Sequence, residues 1–327
     1  MTLQEKWLDS YDQAEAFADE PPYRTCATMA YNQTLMERNP VFRTLLSELE
    51  VATTTWLEEP VPFGGYEEIV IPVVVHVVWS DIEENISDAQ IRSQIEALNE
   101  DFGASNASQS SIPAVWANLS DDSGIRFKLA DRDPKGNRHH GIDRVHTTEP
   151  AFGTDDKVKH ARDGGADAWP AESYLNLWVC NLDGGTLGYA QFPGAPPETD
   201  GVVVGFRFFG REGTAAEPFG KGRTATHEVG HWLNLRHIWG DTEDCLGSDL
   251  VLDTPTQRLP NYGTPSFPTT SCHNEPDGDM FMNYMDYVND EAMFFFTAGQ
   301  VARMRATLDT MRIGLQTSAG LDRGAEQ

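Results

Sequence analysis

Apolar residues follow a strand pattern at several places in the first two thirds of the chain. The longest run, residues 69–79, is unbroken and rich in β-branched side chains, as expected of a central strand buried on both faces. Shorter runs predict further strands at residues 125–131, 175–182 and 201–206. We expect these strands to form a twisted sheet.

Helical periodicity occurs between and after these strands. Ser87 is a suitable N-cap for a helix over residues 88–102, whose apolar positions share one face. Two later helices are predicted at about residues 221–233 and 297–312. The order indicates an α+β fold. Its upper lobe would be α/β, with a mixed sheet and one long helix, and its C-terminal lobe would be irregular up to the last helix.

The first 60 residues differ from the rest of the chain. They show helical patterning between Leu35 and Leu49 and no strand run, and residues 58–65 are rich in Pro and Gly, as linkers are. We therefore divide the chain into a mainly helical or irregular segment, residues 1–60, and a domain over residues 61–327. The upper lobe would cover about residues 66–237 and the lower lobe about 238–327.

Composition narrows the class of protein. The chain has 327 residues, of which 39% are hydrophobic, enough to form a substantial core. The formal net charge of −27 excludes a general nucleic-acid binder, because there is no basic surface to neutralise phosphates. No apolar run approaches the roughly 20 residues that a membrane span needs. The first six residues lack the basic and apolar regions of a signal peptide.

The strongest chemical signal is a His-Glu-x-x-His motif with a third histidine six positions later. Residues four apart share one face of a helix, so His227 and His231 can reach one metal ion together. Glu228 can hold a water beside that metal without being a ligand. His237 can join them only if the chain turns sharply after the helix. Asn234 would make that turn, because Asn tolerates the left-handed conformation better than most residues.

These residues resemble the metzincin metallopeptidases, whose motif continues through the third histidine to a Met-turn. Asn234 stands where that family has Gly, and residues 283–287 (Asn-Tyr-Met-Asp-Tyr) are similar to the Met-turn of ulilysin-type pappalysins. Residues 71–78, 86–91, 187–193 and 253–255 add weaker similarity, and the resemblance extends from about residue 66 to 312.

The resemblance implies a metzincin-like zinc endopeptidase that hydrolyses peptides or proteins. Three histidine ligands leave a fourth position of the zinc open for a water, whose pKa the metal lowers. Glu228 would act as general base and then as general acid. Tyr287 would stabilise the oxyanion, and Met285 would form an apolar floor under the imidazoles. The substrate would add to an edge strand by β-augmentation, at Leu187, Gly188, Tyr189 and Ala190.

Acidic residues in the lower lobe suggest two further roles. Ulilysin-type enzymes carry calcium after the zinc motif, and this chain offers oxygen ligands there, at Asp244, Asp249, Asp253 and Thr254. In the same enzymes an acid after the Met-turn selects Arg or Lys on the C-terminal side of the scissile bond, the P1′ position. Asp290 or Glu291 would serve here.

Four cysteines are present. Cys245 and Cys272 flank the loop between the zinc motif and the Met-turn, and a disulfide between them would stabilise the fold by roughly 3 kcal/mol in the chain-entropy model. Cys180 lies in a strand-like run and is expected to be a buried thiol. A pairing of Cys26 with Cys180 stays open at this point.

Cys26 also suggests latency. Residues 23–28 resemble the Arg-x-Cys-Gly-Thr stretch that precedes pappalysin catalytic domains, with Ala27 in place of Gly. A thiolate is a better zinc ligand than water, so Cys26 could block the fourth zinc position while Arg24 pairs with an acid of the cleft. Residues 1–60 would then be a pro-segment that inhibits the enzyme until it is cut away.

Two alternatives remain to be weighed. In a thermolysin-like peptidase the third ligand would be a downstream acid such as Glu275, or Asp241 in a related variant, but the position of His237 and the Met-turn argue against both. A catalytically silent binding protein would lack Glu228 or one of the histidines, and none is missing. The family resemblance predicts a secreted protein.

Overall fold

A computed structural model describes residues 23–58 and 65–322. Most of the predicted linker and the first 22 residues lie outside the described part. The order of strands and helices is that of an α+β protein, as predicted. In that described part, no helix is both long and apolar enough to cross a membrane.

A six-stranded sheet forms the upper lobe, with the order β2-β1-β4-β6-β5 and β3 paired to β1. All pairs are parallel except β5 with β6, so the sheet is mixed. Strand β1 binds β2 along its first half and β3 along its second half on the same side. The strands are β1 Ile69–Trp79, β2 Ile125–Leu129, β3 Ile142–His146, β4 Leu175–Cys180, β5 Gly188–Ala190 and β6 Val202–Gly205.

Strand β3 was not predicted from the sequence. Its residues are partly exposed and mix charged with apolar side chains, so neither an apolar run nor an alternation marks it. Only its pairing with the end of β1 makes it a strand.

The helices of the described residues are α1 Thr28–Arg38, α2 Pro40–Leu57, α3 Asp88–Phe102, α4 Arg223–Trp232 and α5 Ala298–Thr310. Helix α3 begins as predicted, with the Ser87 side chain accepting a hydrogen bond from the N–H of Gln90. The helical pattern from Leu35 to Leu49 proves to be two helices, because a residue before proline disfavours the helical conformation. Asn39 takes that extended position and caps α2.

The main core lies between one face of the sheet and helices α3, α4 and α5. The lower lobe is mostly loop, with one short parallel pair, β7 Tyr262–Gly263 and β8 Tyr287–Val288. The predicted disulfide Cys245–Cys272 is formed across this lobe, with the two Cα atoms 5.4 Å apart. Cys26 and Cys180 are both free, so a pairing of Cys26 with Cys180 is wrong.

The N-terminal segment, residues 23–58, packs on the rest of the chain. Trp56 Nε1 donates a hydrogen bond to Asp309 of α5 at 3.1 Å. Glu50 of α2 forms a salt bridge with the buried guanidinium of Arg303 on the same helix α5. The segment is thereby attached to helix α5, whose Arg303 also contacts the zinc motif at Asn234.

Candidate active site

The three histidines of the motif are brought together by the end of α4. The helix stops at Trp232, and Asn234 adopts the left-handed conformation with φ of 72°, as predicted. The N–H of Leu235 returns to the carbonyl of Gly230 at 2.9 Å, which is the closing bond of a Schellman turn. Arg303 Nε donates to the Asn234 carbonyl at 2.7 Å and holds the turn from α5. The chain then carries His237 back to the helix.

The Nε2 atoms of His227, His231 and His237 lie 3.1 to 3.3 Å from one another. The Nδ1–H groups of His227 and His231 donate to the carbonyls of Tyr284 and Leu235, at 2.7 and 2.8 Å. Nδ1 of His237 lies 2.5 Å from Asp241 Oδ1. These partners leave a lone pair on each Nε2, and all three lone pairs point to one place.

A cation fits this arrangement. Tetrahedral zinc with metal–nitrogen distances of about 2.0–2.1 Å separates its nitrogen ligands by roughly 3.3 Å, close to the spacing of these imidazoles. Burial lowers the pKa of His227 and of His231 well below the usual histidine value, and the neighbouring imidazoles lower it further. Both rings are therefore neutral, as metal ligands must be.

Glu228 lies beside the histidines and is fully buried. Burial raises the pKa of its carboxyl to about 7. Thr28 Oγ1 donates to Glu228 Oε2 at 2.7 Å, and Cys26 Sγ donates to the same oxygen at 3.4 Å. Gly188 passes so close that a Cβ there would meet Cγ of Glu228 at 3.0 Å. The sheet edge and the N-terminal segment thus enclose this carboxylate from two sides.

Met285 packs against Gly230 of helix α4, and its role as an apolar floor under the imidazoles stays a prediction. A Cβ on Gly230 would come within 2.7 Å of Met285 Sδ, so the two residues fit only because Gly230 has no side chain. The Tyr287 ring lies 4.9 Å from that of His237, and its hydroxyl donates to the Cys26 carbonyl at 3.3 Å. Tyr287 therefore lies next to the three histidines.

The N-terminal segment covers the edge strand next to the cluster. Cys26 pairs with Gly188 in a parallel bridge, in which the Ala27 N–H donates to the Gly188 carbonyl at 3.1 Å. The Cys26 Sγ and the coordinating atoms of the three histidines all lie within 4.8 Å of one another. Cys26 is therefore close enough to the three histidines to be a fourth ligand of an ion bound by them.

Side chains of the N-terminal segment form hydrogen bonds with further backbone groups at and just after the edge strand β5. The Ala190 N–H donates to Thr28 Oγ1 at 2.8 Å. The amide of Asn32 donates to the Ala190 carbonyl at 2.9 Å and accepts from the Phe192 N–H at 3.0 Å. Thr28 and Asn32 were not found by the sequence analysis, because nothing in their local pattern indicates a distant strand as partner.

Arg24 enters a closed pocket on the other side of Cys26. Its guanidinium, almost fully buried, forms a salt bridge with Asp290 and lies 5.0 Å from the centre of the Phe219 ring. It also donates to Thr224 Oγ1 at 3.0 Å and to the Val288 carbonyl at 3.2 Å. The acid paired with Arg24 is thus Asp290, whereas Glu291 is exposed and accepts a hydrogen bond from Thr264.

The residues predicted to bind calcium have different hydrogen-bond partners in the structure. Asp249 accepts hydrogen bonds from Thr254 at 2.9 and 3.0 Å, and burial raises its pKa to about 7. Asp253 accepts from Thr297 and from the Gly299 N–H at the start of α5. The exposed Asp244 accepts from the Leu246 N–H. Among the described residues, the cluster of three or more His, Cys, Asp or Glu that could hold a metal is Cys26 with the histidines, so calcium stays a prediction.

Comparisons with known proteins agree with this geometry. The peptidase family M43 model, described as pregnancy-associated plasma protein-A, matches residues 158–309. An extracellular metalloprotease of Arthroderma otae is 32% identical over 259 residues, covering 75% of this chain and 80% of that protein.

Two solved structures from Tannerella forsythia are similar over most of this chain. Mature mirolysin in complex with a cleaved peptide is 53% identical with a TM-score of 0.77, covering 78% of this chain and 98% of that one. A promirolysin mutant is 48% identical with a TM-score of 0.83, covering 90% and 98%. The chain belongs to the pappalysin family of metzincin zinc metallopeptidases. It is thus a metalloprotease, and its family implies zinc in the histidine site.

We predict that Gly230→Ala destabilises the site, because the new Cβ would overlap Met285 Sδ. Overpacking of this kind costs about 1–3 kcal/mol, so the free energy of unfolding in denaturant should fall by that amount and less zinc should be retained on dialysis. Gly153→Ala is the control, since a Cβ there meets nothing within 4 Å. Equal stability and zinc content in the two variants would contradict the prediction.

Proposed function

We propose that this chain is the latent form of a secreted zinc endopeptidase that prefers Arg or Lys at P1′ and is inhibited by its own N-terminal segment. The observation that carries the proposal is the position of residues 24–28. Cys26 lies at the histidine cluster, Thr28 binds the carboxylate of Glu228, and Arg24 fills a pocket with an acid at its end. One short segment thereby obstructs the metal, the base and the pocket together.

Zinc held by His227, His231 and His237 would polarise the scissile carbonyl and lower the pKa of an attacking water. Glu228 would accept the proton of that water and deliver it to the leaving amine. Thr28 and Cys26 of the N-terminal segment both bind its Oε2, so the segment would have to leave before this oxygen could take that proton. The hydroxyl of Tyr287 would donate a hydrogen bond to the carbonyl oxygen as negative charge develops on it.

Latency would follow from two contacts of Cys26. Burial and the charge of Glu228 raise the pKa of the Cys26 thiol, which donates a hydrogen bond to Glu228 Oε2. A cation at the histidines would favour the thiolate and draw Sγ into the fourth ligand position. Residues 1–60 would then act as a pro-segment, and residues 61–327 as the catalytic domain.

The preference for a basic residue rests on the environment of Arg24. A buried guanidinium needs a carboxylate and further acceptors around it, and Asp290, Thr224 and the Val288 carbonyl supply them. Asp290 itself is oriented by the N–H groups of Lys221 and Arg223 at 2.8 and 3.2 Å. A substrate Arg or Lys would take the same place once the segment leaves.

Calcium is proposed at the acidic loop on the family resemblance. The predicted ligands are Asp244, Asp249, Asp253 and Thr254. Secretion is supported by the relatives that are named extracellular metalloproteases.

We expect Glu228→Ala to keep zinc and lose peptidase activity, because Glu228 would move protons and not bind the metal. Removal of a general base typically lowers kcat by about 10²–10⁴-fold. Zinc content by mass spectrometry and turnover of a peptide library, with and without o-phenanthroline, would be measured on the processed enzyme. Turnover above a tenth of the parent value would exclude this role.

Asp290→Asn should selectively reduce cleavage before Arg and Lys. It keeps the size of the side chain and removes the charge, and a hydrogen-bonded charge of this kind is worth about 1.5–3 kcal/mol. We expect kcat/KM for an Arg P1′ peptide to fall about ten- to a hundredfold, with little change for a Leu P1′ peptide. Glu291→Gln is the matched control. Loss of Arg selectivity in that control but not in Asp290→Asn would reverse the assignment.

Cys26→Ala in the full chain should show activity before processing or be processed faster than the parent, because the thiolate no longer blocks the metal. Activity and chain length would be followed together over time. Cys180→Ala, which removes the other free thiol, should behave like the parent. If Cys26→Ala is as inert as the parent and no faster to process, the cysteine switch is refuted and only steric blocking remains.

A further inference from the structure

Tyr31 of α1 fills a polar chamber behind the edge strand β5. The ring is 4% exposed and lies 4.9 Å from that of Tyr189. Its hydroxyl lies 2.8 Å from Asp156 Oδ1 and 3.2 Å from Gln191 Oε1, and it accepts a hydrogen bond from Lys159 Nζ at 3.0 Å. The chamber therefore offers one donor and two acceptors to a phenol.

The walls of the chamber belong to the catalytic domain and are built around a buried cation. Lys159 is 0% exposed, and its Nζ lies 4.7 to 5.6 Å from the ring centres of Tyr31, Tyr189 and Trp178. It also binds the Thr199 carbonyl and Asp156, each at 2.9 Å. Burying an ammonium is costly unless it is fully paired, and here the hydroxyl of Tyr31 supplies one of the pairings.

Two polar groups of the chamber are held in unusual states. The Tyr189 hydroxyl is buried and makes no hydrogen bond within the described part of the chain. Asp156 has φ of 67°, a left-handed conformation that is uncommon outside glycine. Backbone strain of this kind is often kept where a side chain must be presented to a ligand.

The chamber lies beside the cleft on the side opposite the Arg24 pocket. Gly188 faces Glu228, so the next residue of β5, Tyr189, points to the other face of the sheet. Cys26 at the metal separates Arg24 from Tyr31 along the segment. If Arg24 marks the residue after the scissile bond, Tyr31 marks the side of the residues before it.

We infer that this chamber is a substrate subsite for a tyrosine side chain, with Lys159, Asp156, Gln191 and Tyr189 as its specificity-determining residues. The inference rests on the proposed function, since the chamber opens only when the N-terminal segment leaves. An extended peptide on β5 alternates its side chains between the two faces. One of the residues second or third before the scissile bond therefore projects over Tyr189 and into the space that Tyr31 vacates.

Such a subsite would distinguish Tyr from Phe by hydrogen bonds to the phenol hydroxyl. A pocket that hydrogen-bonds a substrate hydroxyl discriminates against the analogue without it, because the buried polar groups of the pocket are then unpaired. We expect Tyr to be preferred over Phe by about tenfold in kcat/KM, in line with one hydrogen bond to a charged group.

The test uses the active enzyme obtained from the full, zinc-loaded chain. Peptides carry Arg after the scissile bond and Tyr, Phe or Ala at the second or third position before it, and kcat/KM is measured for each. A Tyr preference of about tenfold over Phe at one of these positions supports the subsite. Equal values for Tyr and Phe at both positions overturn it.

Variants connect the preference to the chamber. Lys159→Met keeps the length of the side chain and removes the ammonium, so the ratio of kcat/KM for the Tyr peptide to that for the Phe peptide should approach one. Lys157→Met, at an exposed neighbour that pairs with Asp155, is the control and should keep the ratio. A tenfold Tyr preference that persists in folded Lys159→Met would overturn the assignment. Should that variant not fold, the peptide comparison in the parent enzyme decides.

A second peptide set separates this inference from the proposed function. It replaces the Arg after the scissile bond by Leu and keeps Tyr or Phe before it. A preference for Arg without one for Tyr overturns the subsite alone. A preference for Tyr without one for Arg supports the subsite and refutes the proposed P1′ specificity.

Discussion

Three imidazole lone pairs directed at one point are the constraint on which the rest of the site depends. Nitrogens 3.1 to 3.3 Å apart, each with its N–H used elsewhere, repel one another unless a cation lies between them. The fold holds them there through backbone carbonyls, Asp241 and a left-handed turn at Asn234. Gly230 and Met285 fit beneath them without spare space. A metal bound at these histidines would therefore also stabilise the turn at Asn234 and the packing of Met285 on Gly230.

The N-terminal segment satisfies groups that the catalytic domain leaves unpaired. It pairs with Gly188 through one isolated parallel bridge at Cys26. Beyond that bridge, the side chains of Thr28 and Asn32 form hydrogen bonds with backbone groups of Ala190 and Phe192. It also supplies charges, since Arg24 pairs with Asp290 and Glu50 with Arg303. If the segment is removed, as proposed, Asp290, Arg303 and Lys159 would each lose a partner. In the proposed function, pairing of the same buried charges would therefore serve both latency and substrate recognition.

Two features of the fold were missed or predicted wrongly from the sequence, for different physical reasons. Strand β3 has no apolar pattern and exists through pairing with the end of β1. The pattern from Leu35 to Leu49 was interrupted by Pro40, a local signal that the periodicity obscured. The acids predicted to bind calcium accept hydrogen bonds from neighbouring side chains and backbone N–H groups, and calcium at these residues stays a prediction.

The sequence by itself determined the zinc motif, the turn at Asn234, helix α3 with its Ser87 cap, and the buried strands, because periodicity and local conformational preference are properties of neighbouring residues. It also determined the family, through residues that keep fixed spacing. Only the tertiary structure decided that Asp290 and not Glu291 forms the salt bridge with Arg24. The same holds for the hydrogen bond of Thr28 to Glu228 and for the contact of the Lys159 ammonium with the ring of Tyr31. The two partners are more than 60 residues apart in each case. No local sequence pattern indicates which distant side chain will pair with a buried polar or charged group.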